Sequence, residues 1–408
     1  MSTNNSNSII LLSALDIWSM GEKKGAQSLY RTLIGLADIA HVYYITSNKK
    51  HFDDRIHENI TTIRFDVPWL QKTFYPTSSF NFLMPVLFPL WWIIFQMVSF
   101  FIVMRLLSKE KSSVKLLYAY ESMATPVMKL ISLIKKKKLV SRFMGTIYYP
   151  KLSQPFSWLT HFYYYIPLKT KADILIMAND GTRGDKVLKA LKNRTKEIHF
   201  WRNGVDLPQV PDTINLGSLV SSLGIPDGSH ILLTISRLVG WKRLDRAINA
   251  LHRLQDSQVH LVIVGDGDKK EDLHNLSRQL NLEKNIHFLG AVSQQDLGQY
   301  YAIADIFLSL YDLSNVGNPL LEAMSFGKTI ITLNNGDTGK CIQHMQTGIL
   351  IEPANETEIE KYINQLLHDK ELRMKLGSSA KEFAKENFWT WHQRIEEEKK
   401  VILRLINK

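Results

Sequence analysis

Between Tyr311 and Thr332 the chain reads YDLSNVGNPLLEAMSFGKTIIT, and the readings on either side depend on it. The apolar run Asp305–Leu310 leads in as a strand. Ser314–Pro319 forms a turn, a helix follows, and Ile330-Ile331-Thr332 is the next strand. Pro319 suits the first turn of a helix, and Gly317 suits a close approach of backbone to a ligand. A helix start there offers unpaired N–H groups and the positive end of a dipole, which suits a phosphate. Glu322 lies one turn inside, placed to accept hydrogen bonds from ribose hydroxyls. A plain strand–turn–helix connection would also contain glycine, so this stretch alone leaves both readings open.

The same pattern recurs on both sides. Upstream, Ile231–Ser236 is an apolar strand, and Arg237-Leu238-Val239-Gly240-Trp241-Lys242-Arg243 follows it into a helix from Leu244. Arg237 offers a bidentate fork and Lys242 a point charge, a pair that suits a diphosphate as well as a solvated loop. Val259–Val264 ends in Gly265-Asp266-Gly267. Strand Asn285–Gly290, helix Asp296–Ala302, the flexible loop Asn334–Gly339 and the helices Glu356–His368, Lys370–Asn387 and Trp391–Asn407 complete this half. Pro208 to Pro226 reads as a connecting region.

The first half opens as βαβ: strand Ile9–Ala14, a loop with Gly21 and Gly25, helix Ala26–Ala40 and strand His41–Thr46. Strands follow at Leu116–Tyr120, Leu139–Phe143 and Ile174–Ala178. A helix spans Pro126–Ile134, Asn179–Thr182 turns into another, and His199–Asp206 closes the half with a strand and a sharp turn. Aromatic residues crowd 147–165 as core, acceptor surface or membrane interface.

From Thr73 to Met104 no residue is charged. The core of this segment, residues 82–104, would span roughly 35 Å as a helix, enough for a bilayer core of about 30 Å. It admits three readings: a spanning helix, a wholly buried one, or one lying in the membrane interface beside Arg105, Lys109, Lys111 and the run Lys135–Lys138.

Bulk properties bound these readings. At 408 residues the chain is long enough for two domains. A net charge of +11 suits anionic lipid, nucleic acid or phosphorylated substrates. The basic residues are scattered, not interleaved with an aromatic platform, which argues against nucleic acid. The single cysteine, Cys341, excludes an internal disulfide and a cysteine-cluster metal site. Ile9–Leu12 is too short for a signal-peptide core, so no signal peptide is expected.

Five segments in order carry a resemblance: Asn203–Asp206, Ser236-Arg237-Leu238 with Lys242, Val264–Gly267, Val316–Met324 and Thr347–Leu350. Together they resemble the donor half of family 4 (group 1) glycosyltransferases with the GT-B fold. The resemblance covers about residues 200–395 closely and 1–200 more loosely. It implies an α/β protein of two Rossmann-like doubly wound domains facing a cleft. The domains would be 1–206 for the acceptor and 207–388 for the donor, with a C-terminal helix, 389–408, crossing back to the first.

The resemblance further implies a retaining transferase moving a sugar from a UDP- or GDP-sugar to an acceptor hydroxyl, without metal or other cofactor. Arg237, Lys242 and Glu322 would be its catalytic set. Gly21, Gly25, Gly265, Asp266, Asn315, Val316, Gly317, Asn318 and Leu320 would bind the donor. Asp266-Gly267-Asp268 is an Asp-x-Asp set within the glycine turn and is not read as a metal site.

The acceptor expected is a glycan or lipid-linked glycan. The location expected is cytoplasmic, peripheral on the anionic inner face of the cell membrane. Two departures from the family pattern stand out. Ser314 replaces a second Glu that would have seven residues between it and Glu322, with Asp312 and Asn315 as neighbours that could take over sugar contacts, and Met144 replaces a His before Gly145-Thr146. With no general base in view, the donor phosphate itself is the expected base. An epimerase or phosphorylase of this fold, and a non-catalytic nucleotide-sugar-binding partner, are the alternatives.

Overall fold

The computed structural model describes residues 7–14, 27–47, 56–65, 84–110, 113–206, 210, 214–353 and 357–407. Gly21, Gly25, Lys111, Pro208 and Pro211 lie outside them. The chain divides into two units: Met1–Asn179, Arg183–Trp201 and His392–Lys408 form the first, and Asp180–Thr182 with Arg202–Trp391 the second.

The first unit is built on a seven-stranded parallel sheet in the order β3-β2-β1-β4-β5-β6-β7. Its strands are β1 (Ser8–Ser13), β2 (His41–Thr46), β3 (Ile60–Arg64), β4 (Val114–Tyr120), β5 (Lys138–Phe143), β6 (Ile174–Ala178) and β7 (Glu197–Trp201). Its helices are α1 (Gln27–Ala37), α2 (Met84–Lys109), α3 (Thr125–Lys135), α4 (Ser157–Thr160), α5 (Phe162–Lys169) and α6 (Gly184–Ala190). A parallel sheet covered on both faces needs apolar residues on both sides of each strand, and β1 supplies them. Ile9 and Leu11 pack with Leu29 and Leu33 of α1, whereas Ile10 and Leu12 pack with residues of α2 and α3.

The second unit repeats the plan with six parallel strands in the order β10-β9-β8-β11-β12-β13. They are β8 (His230–Ile235), β9 (Val259–Val264), β10 (Ile286–Gly290), β11 (Ile306–Ser309), β12 (Thr329–Leu333) and β13 (Ile349–Ile351). The helices are α7 (Leu216–Ser222), α8 (Asp245–Leu254), α9 (Lys270–Gln279), α10 (Leu297–Ile303), α11 (Asn318–Ser325), α12 (Glu358–His368), α13 (Lys370–Asn387) and α14 (Trp391–Ile406). Strand order reverses between β8 and β11. That reversal opens a crevice beyond their carboxyl ends, where such sheets bind ligands.

From His392 onward α14 belongs to the first unit. Val401, Ile402 and Leu405 join the core with β1 and α1. Its Glu398 is buried, 2.9 Å from Arg142 on β5 and 2.9 Å from Arg394, and accepts from the Tyr118 hydroxyl. One buried carboxylate thereby answers two buried guanidiniums. Burial alone would raise its pKa, but Arg142 and Arg394 hold it below the ordinary value.

Four sequence readings change. Strand β3 was not foreseen. Helix α7 occupies part of the connecting region Pro208–Pro226, capped by the Asn215 side chain accepting from Ser218 N. The Asn334–Gly339 loop is pinned, not flexible: the buried Thr338 hydroxyl donates to Leu333 O at 2.6 Å and the Asn335 amide to Tyr311 O at 2.9 Å. The uncharged segment forms α2, which is not wholly buried. Trp91, Phe95, Val103 and Leu107 enter the core, but Leu90, Ile93, Met97 and Phe101 on the other side are exposed. By length and composition alone, residues 88–109 could cross a membrane.

Candidate active site

The loop after β8 carries Arg237 and Lys242, and the turn after β11 carries Ser314 to Asn318. They meet at the crevice because their strands flank the reversal. Glycines fix the first loop from below. Gly265 has φ +142°, and a Cβ there would lie 1.8 Å from Ser236 O. One on Gly267 would lie 2.3 Å from Leu238 O. The end of β9 therefore presses against the Arg237 loop, and Leu238 N donates to Asp266 O at 2.9 Å. Gly265 thus acts as a backbone spacer beneath that loop, a more structural part than the sequence suggested. Asp266 is exposed, and its carboxylate accepts from Gly267 N.

Lys242 is the central cation. It is buried, its ammonium donates to Ser314 O at 2.9 Å, and it lies 4.1 Å from the centre of the Tyr311 ring. Burial pulls its pKa down to about 7. Asp180 opposes that shift and the nearby Arg237 adds to it. Arg237 is exposed, its guanidinium 5.6 Å from the centre of the Trp241 ring. An anionic ligand beside this pair would favour the charged form of Lys242 that burial disfavours, so the arrangement suits an anion.

The turn offers donors to the same ligand. Among the described residues the N–H groups of Gly317 and Asn318, at the start of α11, have no protein acceptor. Val316 N is committed to Asp180 O at 3.0 Å, and Leu320 N to Gly317 O at 3.1 Å. Leu320 also points into the core, so it supports α11 and offers no donor to a ligand. Gly317 has φ −82°, which any residue adopts, and a Cβ there would meet nothing closer than 3.7 Å. Its value lies in the open space before the helix. Asn318 accepts from the Asn203 amide at 3.0 Å.

Asn315 is buried, and among the described residues neither its amide nitrogen nor its oxygen has a partner. A buried amide lacking both bonds is costly, and a bound polar ligand would satisfy it. Asp312 lies 2.6 Å from Arg246 and 3.6 Å from Arg243 and is half exposed.

Glu322 is buried as well. Gln294 donates to one carboxylate oxygen at 2.8 Å and the Tyr301 hydroxyl to the other at 2.9 Å. Burial raises its pKa to about 7, partly offset by those two bonds. Lone pairs remain on both oxygens, so a hydroxyl of a ligand can still donate to it.

Two residues escaped the sequence reading. Asp180 accepts from the Ser314 hydroxyl at 2.9 Å and the Thr182 hydroxyl at 2.6 Å, and burial raises its pKa. Gly181, at φ +88°, brings this segment to the 314–316 turn, where a Cβ would lie 3.1 Å from Asn315 N. The Asp-Gly-Thr order of a turn is visible in sequence, but its docking onto a turn 134 residues away is not. Tyr301 gave no signal beyond lying on an amphipathic helix.

Residues 219–383 match the family described as glycosyl transferases group 1. The second unit is a group 1 glycosyltransferase domain. The N-acetyl-alpha-D-glucosaminyl L-malate synthase of Bacillus anthracis is 31% identical over 47% of this chain and 50% of its own length. A GDP-mannose-dependent alpha-(1-6)-phosphatidylinositol monomannoside mannosyltransferase of Mycobacterium tuberculosis is 27% identical over 39% of the chain and 44% of its own. The chain thus matches these relatives over about half their length or less. The Anabaena protein HepE, solved with UDP-glucose, shares the fold at TM-score 0.71 and 21% identity, covering 96% of this chain and 98% of its own. The group 1 glycosyltransferase domain therefore sits in a chain with the GT-B fold across both units.

Proposed function

We propose that this protein is a retaining glycosyltransferase that takes a sugar from a nucleoside diphosphate sugar, a UDP-sugar in the first instance, and passes it to a hydroxyl of a glycan or lipid-linked glycan. The observation that carries the reading is Lys242, a buried cation 2.9 Å from Ser314 O beside the unpartnered N–H groups of Gly317 and Asn318. The diphosphate would lie against Lys242, Arg237 and those N–H groups, and the ribose against Glu322. UDP-glucose in the HepE structure and the lipid acceptor named for the mycobacterial relative support donor and acceptor classes.

In the reaction the bond between the anomeric carbon and the phosphate oxygen breaks, and a bond from that carbon to the acceptor oxygen forms on the same face. The acceptor proton passes to the departing phosphate oxygen, and the nucleoside diphosphate leaves. Negative charge grows on that oxygen in the transition state, where Lys242 and Arg237 stabilise it electrostatically. Charge neutralisation by these side chains assigns no role to a metal or other cofactor.

The test is a panel of UDP- and GDP-sugars scored by thermal shift and by slow donor hydrolysis. A donor that stabilises the protein and is hydrolysed supports the reading. If no nucleotide sugar does either, the reading fails.

A further inference from the structure

A helix that is apolar all round belongs inside a protein or a membrane. Helix α2 is apolar on all sides as far as Met104, yet among the described residues protein covers only one side of it. Leu90, Ile93, Ile94, Met97 and Phe101 recur at helical spacing along the uncovered side, with Met97 56% and Phe101 66% exposed. Helix α3 lies beside α2 on the same sheet face and runs the same way. The Gln96 amide bonds to Met123 O and to Val127 N near the start of α3, and Leu107, Ser108, Lys135 and Lys137 share one cleft at the far ends of both helices. Sheet-facing residues of both helices fill one core, so their opposite sides face outward together. On α3 that outward side shows Leu130, Leu133 and Ile134, all more than half exposed.

The charges are distributed unevenly along this surface. Its apolar stretch carries the part-exposed Lys129 on α3, whereas Arg105, Lys109, Lys135, Lys136 and Lys138 are all exposed toward its far end, Lys138 lying 3.8 Å from Asp173; the cleft there, lined by Leu107, Ser108, Lys135 and Lys137, has a volume of about 370 Å³. Inside it the Lys137 ammonium bonds to Val114 O at 2.5 Å. Glu110, the nearest acid in sequence, is only partly exposed.

We propose that the outer face of α2 and α3 is a membrane-binding surface, inserted on one side into the anionic leaflet, with a phospholipid phosphate seated at the Ser108–Lys135–Lys137 cleft. The helix does not cross the bilayer, because its other side is committed to Leu12, Leu117 and Leu139 of the sheet core. The occupant is lipid because an apolar strip ending in cations matches acyl chains beneath a layer of phosphates. This inference goes beyond the donor-site reading and does not depend on it.

The test floats the full chain on phosphatidylcholine vesicles with and without phosphatidylglycerol. Phe101→Glu with Ile93→Glu alters exposed positions, so the fold is retained, and it should abolish flotation. Lys135→Glu with Lys136→Glu should weaken binding to the phosphatidylglycerol vesicles by about fivefold or more per lysine, less so in high salt. Wild-type protein that stays unbound, or variants that float as wild type does, overturn the proposal. So does a wild-type dimer that Phe101→Glu splits without any vesicle binding, since a second copy would then be the occupant. Donor hydrolysis should be unchanged in both variants. Its absence in a wild type that floats would count against the transferase alone.

Discussion

The Ser314 hydroxyl donates to the Asp180 carboxylate at 2.9 Å, and this bond ties the turn after β11 to a segment 134 residues earlier. The Ser314 carbonyl accepts from Lys242, so one serine lies between an anion and a cation. Asp180→Ala would leave the Ser314 and Thr182 hydroxyls without their acceptor and Lys242 without its opposing charge. We expect a loss of about 1–3 kcal/mol in stability by denaturant unfolding, together with weaker donor binding. Asp180→Asn, which keeps an acceptor, should recover most of the stability but not the affinity. Equal recovery of both would show that the charge of Asp180 is irrelevant.

Arg237 provides a cleaner probe of the chemistry, because it is exposed and its guanidinium lies over the Trp241 ring. Arg237→Ala should move stability by no more than about 1 kcal/mol. Turnover should fall by roughly 10²–10³ if the guanidinium stabilises the leaving diphosphate. Turnover near wild type, measured under donor saturation, would remove Arg237 from the catalytic set.

Gly265 tests the loop from beneath. A methyl group 1.8 Å from Ser236 O has no flexible atom to push aside, and φ +142° strains any other residue. Gly265→Ala should cost about 2–5 kcal/mol in thermal unfolding and displace Arg237, lowering donor affinity as well. A variant as stable as wild type would mean that β9 can retreat from the loop.

In the first unit the corresponding liability is Glu398. Glu398→Ala strands Arg142 and Arg394 in the core and should cost about 3–5 kcal/mol. Glu398 also has its pKa depressed on folding. Its contribution is therefore present above the unfolded value of 4.5 and lost as pH falls through the lower folded value. Acid unfolding monitored by circular dichroism should show a steep stability loss in that range for wild type and a shallower one for Glu398→Gln.

Much of this was legible in the sequence for a physical reason. Parallel strands buried on both faces must be apolar runs, so β1, β8, β9 and β11 announced themselves, as did Arg237 and Lys242 just beyond a strand end. Strand β3 did not, because Ile60-Thr61-Thr62-Ile63-Arg64 lies near the sheet edge and is only partly buried. The spacer role of Gly265 was not visible, because sequence shows a glycine but not the carbonyl packed against it. Asp180 was missed since its meaning comes from Ser314 and Lys242, both remote in the chain. Helix α2 stayed ambiguous because its composition is apolar throughout, and only packing against the sheet distinguishes its two sides.

Lys242 links binding to pH. Its pKa falls from 10.5 unfolded to about 7 folded, so between those values the unfolded chain holds more protons. Stability should therefore rise with pH across that window, and Lys242→Met should flatten the rise. A bound diphosphate reverses the balance, since a nearby anion favours the charged ammonium. Above a pH of about 7 the free protein would then take up a proton as donor binds, and affinity should decline as pH rises. Calorimetry of UDP binding in buffers of different ionisation enthalpy measures that proton directly. Uptake of up to one proton by wild type and none by Lys242→Met is the expected result. A binding heat independent of buffer would show that Lys242 is already charged before the donor arrives, and that burial does not lower its pKa in solution.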